Sequence, residues 1–218
     1  MEQTERAGAL RPMEIERRSF EIIDAELKKM GREIPAELRP VLYRVIHTTA
    51  DFEYADTLYV SEGAIQQALD ALRPGALIVT DTNMALSGLH KSAVRKLGMD
   101  CICFMADPGV AEEAKRRGCT RALVSMERAA AEQRQVILAV GNAPTALLRI
   151  TELSREGFRP ALVVGVPVGF VNVVQSKEAL IATGLPCIVN RGRKGGSNVA
   201  AAIVNALMYM KDETRGEG

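Results

Sequence analysis

Histidine is the side chain best placed to exchange a proton near neutral pH, and the 218-residue chain has two, His47 and His90. If residues 36 to 49 are helical, Arg44 and His47 are three positions apart on one face and could meet one ligand together. Two hypotheses stay open: a proton donor or acceptor held beside a carboxylate anchor, or a helix-terminal histidine favoured by the helix dipole with Arg44 as a solvated charge. His90 is expected to be a surface residue.

Three glycine-rich segments each follow an apolar run typical of a strand and precede a run typical of a helix. They are Gly141 to Leu147, Gly165 to Val171 with Ser176-Lys177 behind it, and Arg191 to Ser197. In a parallel sheet such turns lie at the carboxyl ends of strands, where helix N-termini present N–H groups to anions. We therefore predict one broad anion-binding crevice, although Gly and Pro after a strand often only turn the chain.

Candidate ligand contacts come from all three segments: Asn142, Thr145, Gly169, Arg191, Arg193, Lys194, Gly195, Gly196 and Ser197. The third segment is the strongest candidate because like charges repel, so three basic residues in one glycine-rich turn favour an anionic ligand. Asp81, at the end of the first clear strand, is expected on the same edge. It would either contact the ligand or cap the following helix.

Composition excludes several function classes. A formal net charge of +1 gives no basic surface for nucleic acid, and no apolar run is long enough for a membrane span. We predict a cytoplasmic protein with four scattered, reduced cysteines. Neither nucleotide-binding glycine motif is present, and no histidine and cysteine spacing indicates a metal site, so carboxylate is the expected anion.

Alternating helix-like and strand-like segments predict one α/β domain over residues 13–210. The periodicity indicates helices over residues 13–30 and from about 35 to 47, then strands at 76–80, 100–104, 121–125, 136–140, 161–164 and 186–190. Their near-continuous apolar character requires cover on both faces. We therefore expect a three-layer α/β/α fold with a mostly parallel sheet, and loose ends at residues 1–12 and 211–218.

At these residues the chain resembles the precorrin-8X methylmutase family, including its cobalt-precorrin-8 form, over about residues 13 to 210. The resemblance rests on five motifs in order: Ile15-Glu-Arg-Arg-Ser-Phe20, Arg44-Val-Ile-His47, Gly141-Asn-Ala-Pro-Thr-Ala-Leu147, Pro167-Val-Gly-Phe-Val171 with Ser176-Lys177, and Arg191-Gly-Arg-Lys-Gly-Gly-Ser197. One departure is Gln175, where the family pattern has Glu. It puts a carboxylate role at that position in doubt.

The resemblance implies an isomerase of corrin (cobalamin) biosynthesis that moves a methyl group from C11 to C12 of a tetrapyrrole and consumes no cofactor. It implies His47 as general acid and base, Ser19 and Arg44 as substrate contacts, and a homodimer that meets neighbouring pathway enzymes transiently. Two alternatives stay open. A corrinoid carrier would use the same crevice without turnover, and a nucleotide-binding α/β enzyme is disfavoured by the missing phosphate motifs.

Overall fold

A six-stranded sheet forms the centre of the computed structural model, which describes residues 12–212. The strands are β1 (Leu58–Val60), β2 (Leu77–Thr80), β3 (Asp100–Ile102), β4 (Val136–Val140), β5 (Leu162–Gly165) and β6 (Cys187–Asn190). Their spatial order is β1-β6-β5-β4-β2-β3. Only β1 runs antiparallel to its neighbour, and the remaining pairs are parallel.

Helices cover both faces of this sheet. They are α1 (Pro12–Lys29), α2 (Arg39–Thr49), α3 (Tyr54–Thr57), α4 (Ala64–Ala71), α5 (Asn83–Gly88), α6 (Lys91–Lys96), α7 (Pro108–Arg117), α8 (Arg121–Ala130), α9 (Pro144–Arg155), α10 (Val173–Ile181) and α11 (Ser197–Lys211), with a short 3₁₀ helix at Phe104–Ala106. Helices α1 to α6 and α11 share one apolar core with the sheet. Helices α8, α9 and α10 form the core of the opposite face, and α7 packs against α8.

The sequence of β4 shows why the strands of this sheet must be covered on both faces. Ile137 and Ala139 point into the first core, while Val136, Leu138 and Val140 point into the second. Successive side chains of a strand alternate between faces, so an unbroken apolar run fits only a sheet buried on both sides. The predicted three-layer, mostly parallel α/β/α architecture is confirmed.

The strand predicted at residues 121–125 is wrong, because these residues begin helix α8. Thr120 caps that helix by accepting a hydrogen bond on Oγ1 from the Leu123 N–H at 3.2 Å. Ala122, Met126 and Ala129 are buried at helical spacing. The short apolar run is part of the buried face of a helix, and residues with high helix propensity continue to Ala130.

Strand β1 was missed by the sequence analysis. It is three residues long, half-buried throughout, and antiparallel at the edge of the sheet. Strand β3 ends at Ile102, two residues earlier than predicted, because the chain enters the 3₁₀ helix at Phe104. Helix α1 agrees with its prediction, whereas α2 begins at Arg39 after a turn closed by the Leu38 N–H donating to the Pro35 carbonyl.

The prediction of loose ends lies almost wholly outside the described residues. Pro12 is the first residue of α1 and Lys211 the last of α11. Asp212 accepts a hydrogen bond from Lys96 Nζ at 2.6 Å. Over the described part of the chain, no helix has both the length and the apolar character needed to cross a membrane.

Candidate active site

The three glycine-rich segments meet at the carboxyl edge of the sheet, as predicted. A Cβ on Gly141 would lie 2.6 Å from Ser197 Cα, and a Cβ on Gly195 would lie 2.0 Å from the Val166 carbonyl oxygen. The Gly196 N–H donates to that same oxygen at 2.8 Å. Only glycine allows these close approaches, so the first and second segments are each packed directly against the third.

The side chain of Asp81 accepts hydrogen bonds from the backbone of the first glycine-rich segment. One carboxylate oxygen accepts the Gly141 N–H at 2.9 Å, and the other accepts the N–H groups of Asn142 and Ala143 at 2.7 Å each. The side chain is buried. Burial raises the pKa of Asp81, although the three N–H bonds act in the opposite direction. The helix that follows Asp81 is capped by Thr82 instead.

The remaining candidates of the first turn and of α11 differ in exposure. Asn142 is exposed, whereas Thr145 is half-buried and accepts a 3.3 Å hydrogen bond from Thr120. The Ser197 hydroxyl pairs with the Thr82 hydroxyl at 2.8 Å. Gly196 precedes the first turn of α11 and supplies no side-chain cap.

The basic residues of the third turn have different partners. Lys194 Nζ donates to Asp51 at 2.5 Å and to Glu53 at 2.9 Å. The bond to Lys194 lowers the pKa of Asp51, and the bond to Asp51 raises the pKa of Lys194. This pairing ties the turn to the chain just after α2, four residues beyond His47.

Arg191 and Arg193 each lie over an aromatic ring. The Arg191 guanidinium carbon is 5.2 Å from the ring centre of Tyr59, and that of Arg193 is 5.4 Å from the ring centre of Phe170. Arg191 is exposed and lies 3.8 Å from Glu178. Phe170 is 82% exposed. Both arginines are exposed at the third turn, where a ligand can reach them.

Arg44 and His47 share a helix face, and both contact the ring of Phe20. The ring centres of His47 and Phe20 are 5.9 Å apart in an edge arrangement. Arg44 lies between Phe20 and Tyr209, with its guanidinium carbon 5.3 and 4.7 Å from the two ring centres, and pairs with Glu16. Its side chain is only 14% exposed, so the hypothesis of a solvated charge is wrong.

Ser19 and His90 also lie on this side of the molecule. The Ser19 hydroxyl donates to the Ile15 carbonyl of its own helix at 2.8 Å and is half-buried. The exposed His90 ring contacts Tyr209 in an edge arrangement, with ring centres 5.5 Å apart, and pairs with Ser92 at 3.2 Å. Both histidines thus flank one cluster of rings around Arg44.

Helix α11 connects the two halves of the site. Ser197 begins the helix at the sheet edge, and Tyr209 contacts Arg44 near its other end. Twelve residues separate them along the helix, which corresponds to about 18 Å. A cavity of about 730 Å³ lies beside Arg44 and is lined by α1, α2 and α11, including Phe20 and Tyr209. Arg44 is among the residues that line this cavity, whereas His47 and the glycine-rich turns are not.

Several residues that build the site were not identified as site residues from the sequence. Phe20 and Lys177 lay inside quoted motifs, but a phenylalanine and a lysine give no local signal of what they touch. Tyr209 and Asn190 carried no signal at all, because their partners are far away in sequence. Among residues 12–212, no group of three histidine, cysteine or acidic side chains is arranged to hold a metal ion.

A family model described as precorrin-8X methylmutase matches residues 14–210. The cobalt-precorrin-8 methylmutase of Salmonella typhimurium is 45% identical over 210 residues, which cover 91% of this chain and 95% of that protein. The chain belongs to the precorrin-8X methylmutase family. Another member, the precorrin-8X methylmutase of Pseudomonas aeruginosa, is 39% identical over 88% of this chain and 93% of its own.

The fold is also that of the precorrin-8X methylmutase family. The crystal structure of the Thermus thermophilus precorrin-8X methylmutase superposes with a TM-score of 0.84 at 41% identity, covering 90% of this chain and 95% of that one. The resemblance noted from the five motifs is therefore confirmed.

Proposed function

We propose that this protein is an isomerase of corrin biosynthesis that moves a methyl group from C11 to C12 of precorrin-8X or cobalt-precorrin-8, giving hydrogenobyrinate or cobyrinate. The observation that carries the proposal is the match to methylmutases along nearly the whole chain. The relatives' names divide between the metal-free and the cobalt-containing precursor. Cobalt belongs to the substrate in this reaction and requires no ligand from the protein.

His47 is proposed as the general acid and base. Its imidazolium donates a proton to a ring nitrogen, which makes the conjugated system poorer in electrons and favours migration of the methyl group. The bond from the methyl group to C11 breaks as the bond to C12 forms. The imidazole then takes the proton back, so substrate and product are isomers and one residue serves both steps.

The geometry of His47 supports this role in two ways. The ring is exposed in the last turn of α2, where a bound substrate can reach it. Its edge contact with Phe20 orients the imidazole without occupying it in an ion pair. The neighbouring Arg44 lies over two rings and beside Glu16, so a substrate carboxylate would meet its charge in a fixed position and in competition with the Glu16 carboxylate.

Binding at several points orients the macrocycle. Acetate and propionate arms of the substrate would meet Arg44 at one end and Arg191 and Arg193 at the other, with backbone N–H groups of the third turn between them. Lys194 contributes by fixing the turn to Asp51 and Glu53. Asp81 contributes by holding the first turn, and Asn142, Thr145 and Ser197 line the same edge. Holding a large ring in one conformation supplies much of the rate enhancement.

The test is an absorbance titration of the purified protein with cobyrinic acid, hydrogenobyrinic acid and their precursors, repeated with His47→Ala and with His90→Ala as a matched control. We expect a coloured stoichiometric complex and conversion of precursor. His47→Ala should bind product but not convert precursor, whereas His90→Ala should convert it. Binding without conversion by the wild type would favour the carrier, and undiminished conversion by His47→Ala would refute its role.

The family resemblance also supports three expectations about the protein's setting: a homodimer, a cytoplasmic location, and transient contact with the next enzyme of the pathway. The product keeps every carboxylate of the substrate, so it should bind tightly and leave slowly. Light scattering on the purified protein tests the dimer. A product dissociation rate well above the turnover number would remove the need for direct transfer.

A further inference from the structure

One lysine lies beneath the third turn and has an unusual environment. Lys177 of α10 is 0% exposed, and its Nζ donates to the carbonyl oxygens of Gly192 at 2.8 Å and Lys194 at 2.9 Å. No carboxylate of the described residues pairs with it. A buried charged group destabilises the fold unless hydrogen bonds compensate, so this ammonium depends on the carbonyls of a single turn.

Asn190 acts on the same turn from the end of β6. It is also 0% exposed. Its Nδ2 donates to the Arg191 carbonyl at 3.3 Å and to the Lys194 carbonyl at 3.0 Å, while its Oδ1 accepts from the Thr57 hydroxyl at 2.7 Å. Lys177 and Asn190 together therefore direct three carbonyls of the turn, those of residues 191, 192 and 194, into the protein.

Peptide planarity fixes where the matching N–H groups point. In a trans peptide the carbonyl and the following N–H lie in one plane and point in opposite directions, and the described chain has no cis peptide. The N–H of Gly192 consequently faces away from Asn190, that of Arg193 away from Lys177, and that of Gly195 away from both. Among residues 12–212, none of the three donates to a backbone carbonyl. A row of such N–H groups binds an anion.

We propose that Lys177 is a positioning residue which, with Asn190, holds the turn so that the N–H groups of Gly192, Arg193 and Gly195 bind a carboxylate arm of the substrate. The proposal rests on the proposed function, which supplies the carboxylate. The Arg193 side chain adds a charge beside this backbone site. The buried ammonium strengthens it further, because a positive charge beneath the turn attracts an anion above it.

Replacing Lys177 by methionine keeps a chain of similar length and removes the charge and all donors. The carbonyl of Gly192 then loses its partner and its peptide is free to rotate, whereas the carbonyl of Lys194 keeps only the bond from Asn190. Ser176→Ala is the matched control: Ser176 is equally buried on the same helix, but its hydroxyl donates to the Val173 carbonyl and does not touch the turn. Lys177→Arg retains charge and donors and tests for rescue.

The first measurement is amide hydrogen exchange of the ligand-free full-length chain, which does not depend on the proposed function. We expect the two bonded amides of the turn, those of Arg191 and Gly196, to exchange at least about tenfold faster in Lys177→Met than in the wild type, with β4 unchanged and Ser176→Ala like the wild type. Unchanged exchange of these amides would overturn the proposal that Lys177 holds the turn. If Lys177→Met does not fold, Lys177→Gln, which keeps an N–H donor but is shorter and neutral, replaces it with the same expectation.

The second measurement is the affinity for cobyrinic acid and for its fully methyl-esterified form. Lys177→Met should bind the acid at least about tenfold more weakly than the wild type, with a higher KM and a kcat within about threefold of the wild type. Lys177→Arg should recover most of the lost affinity. Affinity for the ester should change little. Wild-type affinity for the acid in Lys177→Met, or equal losses for acid and ester, would overturn the carboxylate site, whereas no binding by the wild type would refute the proposed function instead.

Discussion

At the scale of single residues, Arg44 shows how the protein fixes a charge. Its guanidinium is stacked between two aromatic rings contributed by α1 and α11 and paired with Glu16. A lysine has the same charge but no flat group to stack and no fork of donors. The site therefore depends on the shape of the cation as much as on its charge.

We predict that Arg44→Lys lowers the free energy of unfolding by about 1 to 2 kcal/mol, because two partly buried cation–π contacts are lost or weakened. Urea denaturation measures the change. Arg17→Lys is the control, since Arg17 is exposed and pairs only at 3.5 Å with Glu21. It should change stability by less than about 0.5 kcal/mol. Equal effects of both substitutions would contradict the prediction.

A second residue-scale prediction concerns pH. Burial lowers the pKa of Lys177 from its ordinary value of 10.5 to about 8. Between about pH 8 and pH 10.5 the Lys177 side chain is protonated in the unfolded chain and largely deprotonated in the folded one. The contribution of Lys177 to stability therefore rises with pH. The nearby Lys194 stays protonated there, because its pKa is raised by Asp51. The unfolding free energy of the wild type minus that of Lys177→Met should increase by roughly 2 kcal/mol between about pH 7 and pH 10.

Chemical denaturation of both proteins at several pH values measures this difference. Taking the difference cancels the titration of groups shared by the two chains. Lys177→Arg provides the comparison, because a guanidinium stays charged throughout the range and its difference from Lys177→Met should be flat. A difference that is independent of pH for the wild type as well would contradict the lowered pKa.

At the scale of elements, the glycines of the third turn set how closely the segments approach. Gly195→Ala would place a Cβ 2.0 Å from the Val166 carbonyl oxygen, which is rigid backbone of the second segment. We expect a loss of more than about 3 kcal/mol, or failure to fold. Thermal and urea unfolding of the purified variant measure it.

Gly184→Ala is the matched control for the glycine prediction. Gly184 also has a positive φ, +72°, but nothing lies within 4 Å of a Cβ added there. Its substitution introduces backbone strain of about 1 kcal/mol without a clash. If the two variants lose the same stability, strain alone would explain the effect and the close packing of the segments would have no energetic importance.

The cap of α8 supplies a further element-scale prediction. Thr120 accepts the Leu123 N–H on its side chain, so Thr120→Ala should lower the free energy of unfolding by about 1 kcal/mol. Thr120→Ser keeps the hydroxyl oxygen and should remain close to the wild type. Urea denaturation compares the three proteins, and an alanine variant as stable as the serine variant would show that the cap contributes nothing.

Local sequence predicted some elements and not others for identifiable reasons. The long periodic pattern of α1 and the buried run of β4 each had one interpretation. The run at residues 121–125 had two, and its helical character became visible only with the burial of Met126 and Ala129 on the same face. Strand β1 is three residues long, so it forms through its pairing with β6 and not through a pattern of its own.

At the scale of the whole molecule, the long-range parts of the site could not be predicted. The helical period alone places Arg44 and His47 on one face. Their aromatic neighbours come from helices at opposite ends of the chain, and the carboxylate partners of Lys194 lie more than a hundred residues away. Such pairings follow from how the helices pack on the sheet, which the sequence does not spell out locally.

Net charge gives a prediction at this scale. The formal net charge of +1 provides little long-range attraction for a polyanionic ligand, since the cations of the site act locally. Raising salt from about 0.05 to about 0.5 M, where the screening length falls below about 5 Å, should slow association of cobyrinic acid by less than about tenfold. Stopped-flow absorbance measures the rate. A hundredfold decrease would require a concentrated positive field around the crevice.

The carboxylate of Asp81 bears on how the protein behaves among the other solutes of a cell. Phosphate esters are abundant in living cells, and a glycine-rich turn before a helix is a setting in which many proteins capture them. Here the N–H groups of residues 141–143 already donate to the Asp81 carboxylate, which occupies the place that a phosphate would take. Because all three N–H groups of this turn are bonded to the Asp81 carboxylate, they are not available to a phosphate ester.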